Sequence, residues 1–327
     1  MTSHPRKTTC RTVLAALAAT AALGAPPAAT AGELDERVFD RRGDQVRYEL
    51  PDDADDSGTA AFDAHHVRMI RDIAYGSEPE QRFDVYIPQH PNVRQLQGAP
   101  VIFMVHGGGW RRGDKAMRSV VENKVKHWAA RGFIVVSANY RLLPKAAPIE
   151  QAKDVLRALA SAQEKAARWG GDRGKFILMG HSAGAHLVAL IATSAGTSAT
   201  RWLGTVALDS AALDVVQIME ERHARLYDEA FGKDPAYWRA ASPFHALTKA
   251  AQPMLLVCST RREESCLQAD KFADKATKLG VRASVLRQNL SHRDINRRLG
   301  DDYGYTKPVE DFMRSLDPVV ARQLGGD

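Results

Sequence analysis

Short apolar runs alternate along the chain with stretches in which apolar residues recur at helical spacing. Apolar runs of about four to eight residues between turn residues indicate buried strands, and apolar positions three and four residues apart indicate amphipathic helices. We predict strands at 67–75, 82–88, 101–105, 133–140, 176–179, 203–210, 253–259 and 282–288. We predict helices at 119–131, 149–169, 185–192, 268–279 and 306–316.

This alternation predicts an α/β fold. Strands that alternate with helices form a mostly parallel sheet that helices cover on both faces. The first two strands are the exception, because residues 82–87 alternate in polarity, and we expect them to form an antiparallel pair. Residues 214–250 interrupt the rhythm with polar and aromatic helical segments. We interpret them as a small helical insertion over the sheet edge and a candidate lid.

The N-terminus has the pattern of a secretory signal peptide. Arg6, Lys7 and Arg11 precede an apolar stretch at 13–25, and residues 29–31 are small. The stretch is too short to span a bilayer, and no cysteine follows it closely, so we expect no stable membrane anchor. We predict cleavage after Ala31 and a secreted or periplasmic protein.

The segment 32–60 is polar and predicts a flexible lead-in. It leaves 61–327 as the folded domain. Without residues 1–31 the formal charge falls from +6 to +3, which is too small to imply a nucleic-acid partner. No cluster of Cys, His and carboxylate residues has the spacing of a metal site. We therefore predict neither a metal nor a cofactor, and the sequence leaves the oligomeric state open.

The stretch Gly180-His181-Ser182-Ala183-Gly184 lies between a predicted strand and a predicted helix. It fits the G-x-S-x-G pattern of a nucleophile elbow, in which a strained serine is held between strand and helix. Bulky neighbours do not fit there, which explains the glycines, and the hydroxyl lies at the positive end of a helix. The alternative is an ordinary serine N-cap between two packing glycines.

A second motif, His106-Gly107-Gly108-Gly109-Trp110, directly follows the predicted strand 101–105. Three consecutive glycines are entropically costly to order. A loop whose N–H groups must approach a developing oxyanion closely would require them. A phosphate-binding loop is the weaker interpretation, because the Lys-Ser/Thr ending of a P-loop is missing.

The segments HGGGWRRGDK, SANYRLLP and GHSAGAHLVAL resemble those of serine esterases with the α/β-hydrolase fold. The similarity is to the branch related to hormone-sensitive lipase and to bacterial feruloyl and acetylxylan esterases, and it runs from about residue 67 to 316. It implies that Ser182 is the nucleophile. It also implies that Gly108, Gly109 and Ala183 donate to the oxyanion.

A serine nucleophile needs a base, and chain order in this fold is serine, acid, histidine. Of eleven histidines, His292 is the one that lies beyond Ser182 and after the late strand 253–259. Imidazole has a pKa suited to proton transfer near neutral pH. We predict that His292 is the base, on a loop after the last strand.

The acid is harder to assign. Relatives usually carry Asp in the loop after the strand that is 253–259 here, but this loop reads CSTRREESC. The next aspartate, Asp270, falls in a predicted helix on a solvated face. Because related sequences place their acid just before Ser-Cys, we predict Glu264 as the acid, with Glu263 as the alternative.

Two cysteines, Cys258 and Cys266, remain after removal of the signal peptide with Cys10. Exported proteins tend to pair cysteines. We predict a disulfide that brackets the acid and contributes about 2–3 kcal/mol in the chain-entropy model. The alternative is two unrelated buried thiols.

The sequence predicts an exported serine carboxylesterase that hydrolyses short-chain or aryl esters through a Ser-His-acid triad and an acyl-enzyme. An arylformamidase-like amidase is one alternative. A non-catalytic binding module is another, suggested by the missing aspartate. Four aromatic residues are candidates for a substrate subsite or for the core: Trp110, Tyr140, Tyr227 and Trp238.

Overall fold

The computed structural model describes residues 58–63, 65–89, 97–193 and 200–325, and the backbone of two short strands. These strands, β1 (Val38–Phe39) and β2 (Gln45–Val46), pair antiparallel. The chain divides into two units, Met1–Glu36 and Arg37–Asp327, and the described residues all lie in the second. The predicted signal peptide lies outside the described residues, as does most of the predicted lead-in.

In the described part of the chain, eight strands form one sheet in the order β10-β9-β8-β7-β5-β6-β4-β3. The strands from β10 to β6 in this order run parallel. The strand β4 pairs antiparallel with both β6 and β3, which confirms the predicted antiparallel pair and the mostly parallel sheet. The bounds are β3 (Val67–Ala74), β4 (Arg82–Pro88), β5 (Ala99–Val105), β6 (Ile134–Ala138), β7 (Gly171–His181), β8 (Gly204–Leu208), β9 (Met254–Ser259) and β10 (Ala283–Gln288).

Helices cover both faces of this sheet, as expected. One core contains the apolar faces of α2, α3 and α8, and the core on the opposite face contains those of α1, α9, α10 and α11. The helices are α1 (Arg118–Ala129), α2 (Pro148–Lys165), α3 (Ala183–Thr193), α4 (Val215–Glu220), α5 (Arg225–Phe231), α6 (Pro235–Ala240), α7 (Pro243–Ala246), α8 (Glu263–Lys278), α9 (His292–Arg297), α10 (Tyr303–Arg314) and α11 (Pro318–Gln323).

Strand β7 begins five residues before the predicted run at 176–179. Residues 171–175 are polar and glycine-rich, so they give no apolar signal, but Gly171 still pairs with Ala99 of β5. The insertion 214–250, between β8 and β9, contains the four short helices α4 to α7. Its role as a lid stays a prediction.

Candidate active site

Ser182 occupies a strained turn between β7 and α3. Its φ is +54°, a left-handed conformation that residues other than glycine seldom adopt and that concentrates at functional sites. A Cβ on Gly180 would collide with the carbonyl oxygen of Gly184, and one on Gly184 would collide with that of Val105. Both glycines are therefore required by close backbone packing, as a nucleophile elbow demands.

The glycine loop after β5 packs directly on this elbow. A Cβ on Gly107 would lie 2.9 Å from the Cβ of Ser182, and Gly108 and Gly109 adopt φ of +109° and +60°. Within the described residues, the backbone N–H groups of Gly108, Gly109 and Ala183 donate no hydrogen bond. These N–H groups lie on the glycine loop and at the start of α3, next to the strained serine in the chain or in the loop that packs on it. N–H groups that are available to donate in this way can stabilise an oxyanion.

His292 lies buried beside the same turn. Its carbonyl oxygen is 3.0 Å from Nε2 of His181, and the two imidazole rings are 4.4 Å apart between centroids. The prediction of a loop was wrong, because His292 is the first residue of α9. Ser291 caps this helix by accepting a hydrogen bond from the Asp294 N–H at 3.1 Å. A helix of six residues is too short to show periodicity in the sequence.

The carboxylate at Nδ1 of His292 belongs to Asp209, with Oδ2 at 2.6 Å. Asp209 directly follows β8, which pairs with β7, and the Ser182 N–H donates to the carbonyl oxygen of Leu208 at 2.9 Å. The predicted acid, Glu264, instead lies exposed in the first turn of α8, and so does its alternative, Glu263. The structure therefore places Asp209, and neither Glu264 nor Glu263, against the imidazole of His292.

Four groups surround the Asp209 carboxylate, which is fully buried. Oδ1 accepts hydrogen bonds from the Ser259 N–H at 2.8 Å and the Ser265 hydroxyl at 2.5 Å. Oδ2 faces His292 and the Arg262 guanidinium, the latter at 2.8 Å. Burial opposes ionisation, but the hydrogen bond with His292, the charges of His292 and Arg262 and the Ser265 hydroxyl hold the pKa of Asp209 well below its usual range. The carboxylate is thus ionised and held by fixed partners.

In the structure Cys258 and Cys266 form the predicted disulfide, with their Cα atoms 5.1 Å apart. The loop that it closes contains the three donors to Asp209 named above, rather than the acid itself. The loop after β9 therefore surrounds a carboxylate supplied by the neighbouring strand.

A signal for Asp209 was present in the sequence. Asp209 is the last residue but one of the run LGTVALDS, so it lies at the carboxyl end of the predicted strand 203–210. In a parallel sheet the carboxyl ends of the strands meet at one edge, where sites collect. The expectation that the acid follows β9, taken from relatives, directed attention to the next loop instead.

Two of the four aromatic candidates belong to the core. Trp110 is 3% exposed and packs edge-on against Phe231 of α5, and Tyr140 stacks on His106. Tyr227 of α5 and Trp238 of α6 are half-buried in the insertion. They remain candidates for a substrate subsite.

Helix α5 lies over the glycine loop. A Cβ on Gly109 would lie 2.9 Å from Cδ1 of Leu226, which places this side chain directly against the loop. Arg111, two residues further on, pairs with Glu229 of the same helix. The insertion therefore forms a wall of the site.

Two further observations concern the described residues only. No three His, Cys, Asp or Glu side chains among them are placed to hold a common metal ion. None of their helices combines the length and apolar character needed to cross a bilayer.

The sheet order, the strained serine and the glycine loop together define an α/β-hydrolase. Comparison with family models narrows this class. The BD-FAE model matches residues 83–275, more than half of the chain, and the chain belongs to this family.

Curated relatives carry esterase names. Esterase LipC of Mycobacterium tuberculosis is 29% identical over 219 residues, covering 60% of this chain and 52% of that protein. A probable isoprenylcysteine alpha-carbonyl methylesterase of Oryza sativa subsp. japonica is 34% identical over 122 residues, covering 37% and 28%. The chain thus spans about half of the first relative's length and less of the second's.

Solved structures share the fold at low sequence identity. A truncated carbohydrate esterase from gut microbiota superimposes with a TM-score of 0.67 at 16% identity, covering 79% of this chain and 99% of that one. Esterase B from Lactobacillus rhamnosis, inhibited by a tributyrin phosphonate, gives 0.63 at 20% identity, covering 79% and 87%.

Proposed function

We propose that the chain is a serine carboxylesterase with Ser182 as nucleophile, His292 as general base and Asp209 as the acid that orients the base. The observation that carries this proposal is the buried Asp209–His292 pair, 2.6 Å between Oδ2 and Nδ1, at the sheet edge where β7 ends directly before Ser182. Membership of the family and the esterase names of the relatives support the same reaction.

The chemistry follows from proton positions. Asp209 accepts the Nδ1 proton of His292, which makes Nε2 the nitrogen that accepts a proton from Ser182. The serine oxygen attacks the ester carbonyl, and His292 then returns the proton to the departing alkoxide. Water, activated by the same imidazole, attacks the acyl-enzyme and releases the acid and Ser182.

The developing oxyanion would be met by the N–H groups of Gly108, Gly109 and Ala183. Two observations support this role: within the described residues these N–H groups donate to no other acceptor, and the glycine loop reaches Ser182 through Gly107. Loss of one such donor typically costs about 10²–10³ in kcat. They supply the electrostatic part of the proposed catalysis.

The wall formed by α5 is an argument for substrates with small acyl groups. Leu226 lies against Gly109, so the space next to the oxyanion is limited on that side. We therefore propose short-chain or aryl esters as substrates. An ester panel from acetyl to long acyl, with feruloyl included, tests this part.

Export is also part of the proposal. It is supported by the signal-like N-terminus and by the Cys258–Cys266 disulfide, a bond typical of oxidising compartments. N-terminal sequencing of protein recovered from the periplasm or medium should begin at Gly32.

The decisive experiment is hydrolysis of p-nitrophenyl acetate by the wild type and by Ser182→Ala. We expect the variant to lose activity and labelling by a fluorophosphonate while its circular dichroism is unchanged. Full activity in the folded variant would exclude the mechanism. If the chain is a non-catalytic binding module, the folded wild type should neither hydrolyse esters nor react with the fluorophosphonate. If it is an arylformamidase-like amidase, it should turn over N-formylkynurenine faster than aryl acetates.

A further inference from the structure

One arginine contacts both members of the acid–base pair. Arg262 lies just before α8, and its Nη1 is 2.8 Å from Oδ2 of Asp209 and 2.7 Å from Nδ1 of His292. Its side chain is 28% exposed, whereas that of Asp209 is completely buried. Because a guanidinium stays protonated in proteins, a fixed positive charge lies directly against the imidazole.

Nδ1 of His292 lies within hydrogen-bond distance of both Oδ2 of Asp209 and Nη1 of Arg262, but it can bond to only one of them at a time. Asp209 is an acceptor only and Arg262 is a donor only, so Nδ1 of His292 either donates to the first or accepts from the second. Donation to Asp209 gives the tautomer that can accept the Ser182 proton at Nε2. The negative charge on Asp209 is what favours this tautomer against the neighbouring guanidinium.

The positive charge also acts on the next step. Proton transfer from Ser182 turns the imidazole into an imidazolium, and a like charge less than 3 Å from Nδ1 disfavours that form. The guanidinium thus places a like charge against the imidazolium that forms in this step.

We infer that Arg262 is a positioning residue for the Asp209–His292 pair: its guanidinium holds the carboxylate in place and sets a fixed positive charge against Nδ1 of the imidazole. This inference rests on the proposed esterase mechanism.

Other titratable groups lie near Arg262 or near Asp209, and each differs from Arg262 in its charge or in its exposure to solvent. Tyr227 of α5 and Tyr305 of α10 are neutral, since burial raises the pKa of both phenols. Glu264 acts on Arg262 through its charge but is exposed to solvent, which screens it. His181 contacts His292 from the elbow side. Arg262 is therefore a permanent charge in direct contact with both members of the pair.

The loop holds this arginine in place. Arg262 also donates to the carbonyl oxygen of Asp209 at 3.3 Å, and the disulfide closes the loop on both sides of it. Its neighbour Arg261 turns away and donates from Nε to Oδ1 of Asn289 at 3.0 Å. Arg261 is thus a matched control: the same residue type in the same loop, outside the site.

The test is the pH dependence of kcat/KM for p-nitrophenyl acetate, followed at the isosbestic wavelength of the product. In Arg262→Gln and Arg262→Met we expect the acidic limb to move to higher pH by about one to two units, as loss of a nearby charge implies. In Arg262→Lys, which retains the charge, the limb should move by less than about half a unit. Arg261→Gln should match the wild type.

The outcomes separate this inference from the proposed function. If the wild type hydrolyses no ester, the proposed function fails. If the wild type is active but both neutral variants lose the same factor at every pH with the limb unmoved, Arg262 is merely structural and the inference is overturned. The inference is also overturned if both neutral variants fail to fold. If the role of Arg262 is electrostatic, the other donors to Asp209 should be enough for folding.

Discussion

Replacement of Asp209 by asparagine tests which carboxylate orients His292. The side chain keeps its size but loses its charge, and it presents an oxygen on one side and an NH₂ group on the other. Two donors, from Ser259 and Ser265, face the Oδ1 position, and one, from Arg262, faces Oδ2. We therefore expect the amide oxygen at the Oδ1 position. The NH₂ group is then directed at Nδ1 of His292, which must become an acceptor.

That reversal moves the imidazole proton to Nε2, where it blocks acceptance of the serine proton. In an Asp-to-Asn change of this kind the wrong tautomer costs about 10⁴ in kcat. We expect kcat/KM of Asp209→Asn to fall by about 10³–10⁴, equivalent to about 4–5.5 kcal/mol of transition-state stabilisation. The fully buried position of Asp209 prevents water from substituting for the lost acceptor.

The assay is hydrolysis of p-nitrophenyl acetate, with circular dichroism to confirm that each variant is folded. Glu264→Gln and Glu263→Gln are the matched controls, because both remove one carboxylate charge from the exposed first turn of α8. Both controls should retain activity within about threefold, since exposed surface charges interact weakly. An Asp209→Asn variant within tenfold of the wild type, with Glu264→Gln strongly impaired, would refute the reasoning and restore the glutamate.

Three further changes follow from local geometry. Gly108→Ala should reduce kcat/KM at least about 100-fold, because the new Cβ would collide with the carbonyl oxygen of Arg112 and the residue has a φ of +109°. Gly109→Ala should reduce kcat/KM by less in the same assay, because its Cβ would meet the flexible side chain of Leu226. Burial lowers the pKa of His186 to about 4, so the unfolded chain takes up this proton from about pH 6.5 downwards and the folded protein only near 4. The unfolding free energy, measured by denaturation at pH values from 7 to 4, should therefore fall with pH by up to about 3 kcal/mol because of this group. In His186→Asn this part of the pH dependence should be absent. Reduction of the Cys258–Cys266 bond should lower the unfolding free energy by about 2–3 kcal/mol, measured by urea denaturation with and without reductant; equal midpoints would indicate free thiols.

Much of the fold was predictable because its signals are local. Apolar runs, helical spacing and the polarity of strand ends reflect what each segment buries, and these located the strands of the main sheet and the five longest described helices. The glycines around Ser182 and in the loop 106–110 were equally readable, since each is required by contacts close to it in the chain or by its own φ. Where the local signal was weak, as in the polar start of β7 and the short helix at His292, the bounds were wrong.

Local sequence patterns encode the alternation of strands and helices, the strained turn at Ser182, the glycine loop and the histidine that follows the last strand. Which carboxylate meets that histidine depends instead on contacts between segments that are distant in the chain. Strand order brings the end of β8 beside the elbow, and a buried charge is retained where partners from other segments compensate its desolvation. The partners of Asp209 lie at the end of β9 and in the loop after it, fifty or more residues away along the chain, and no local pattern encodes such an encounter.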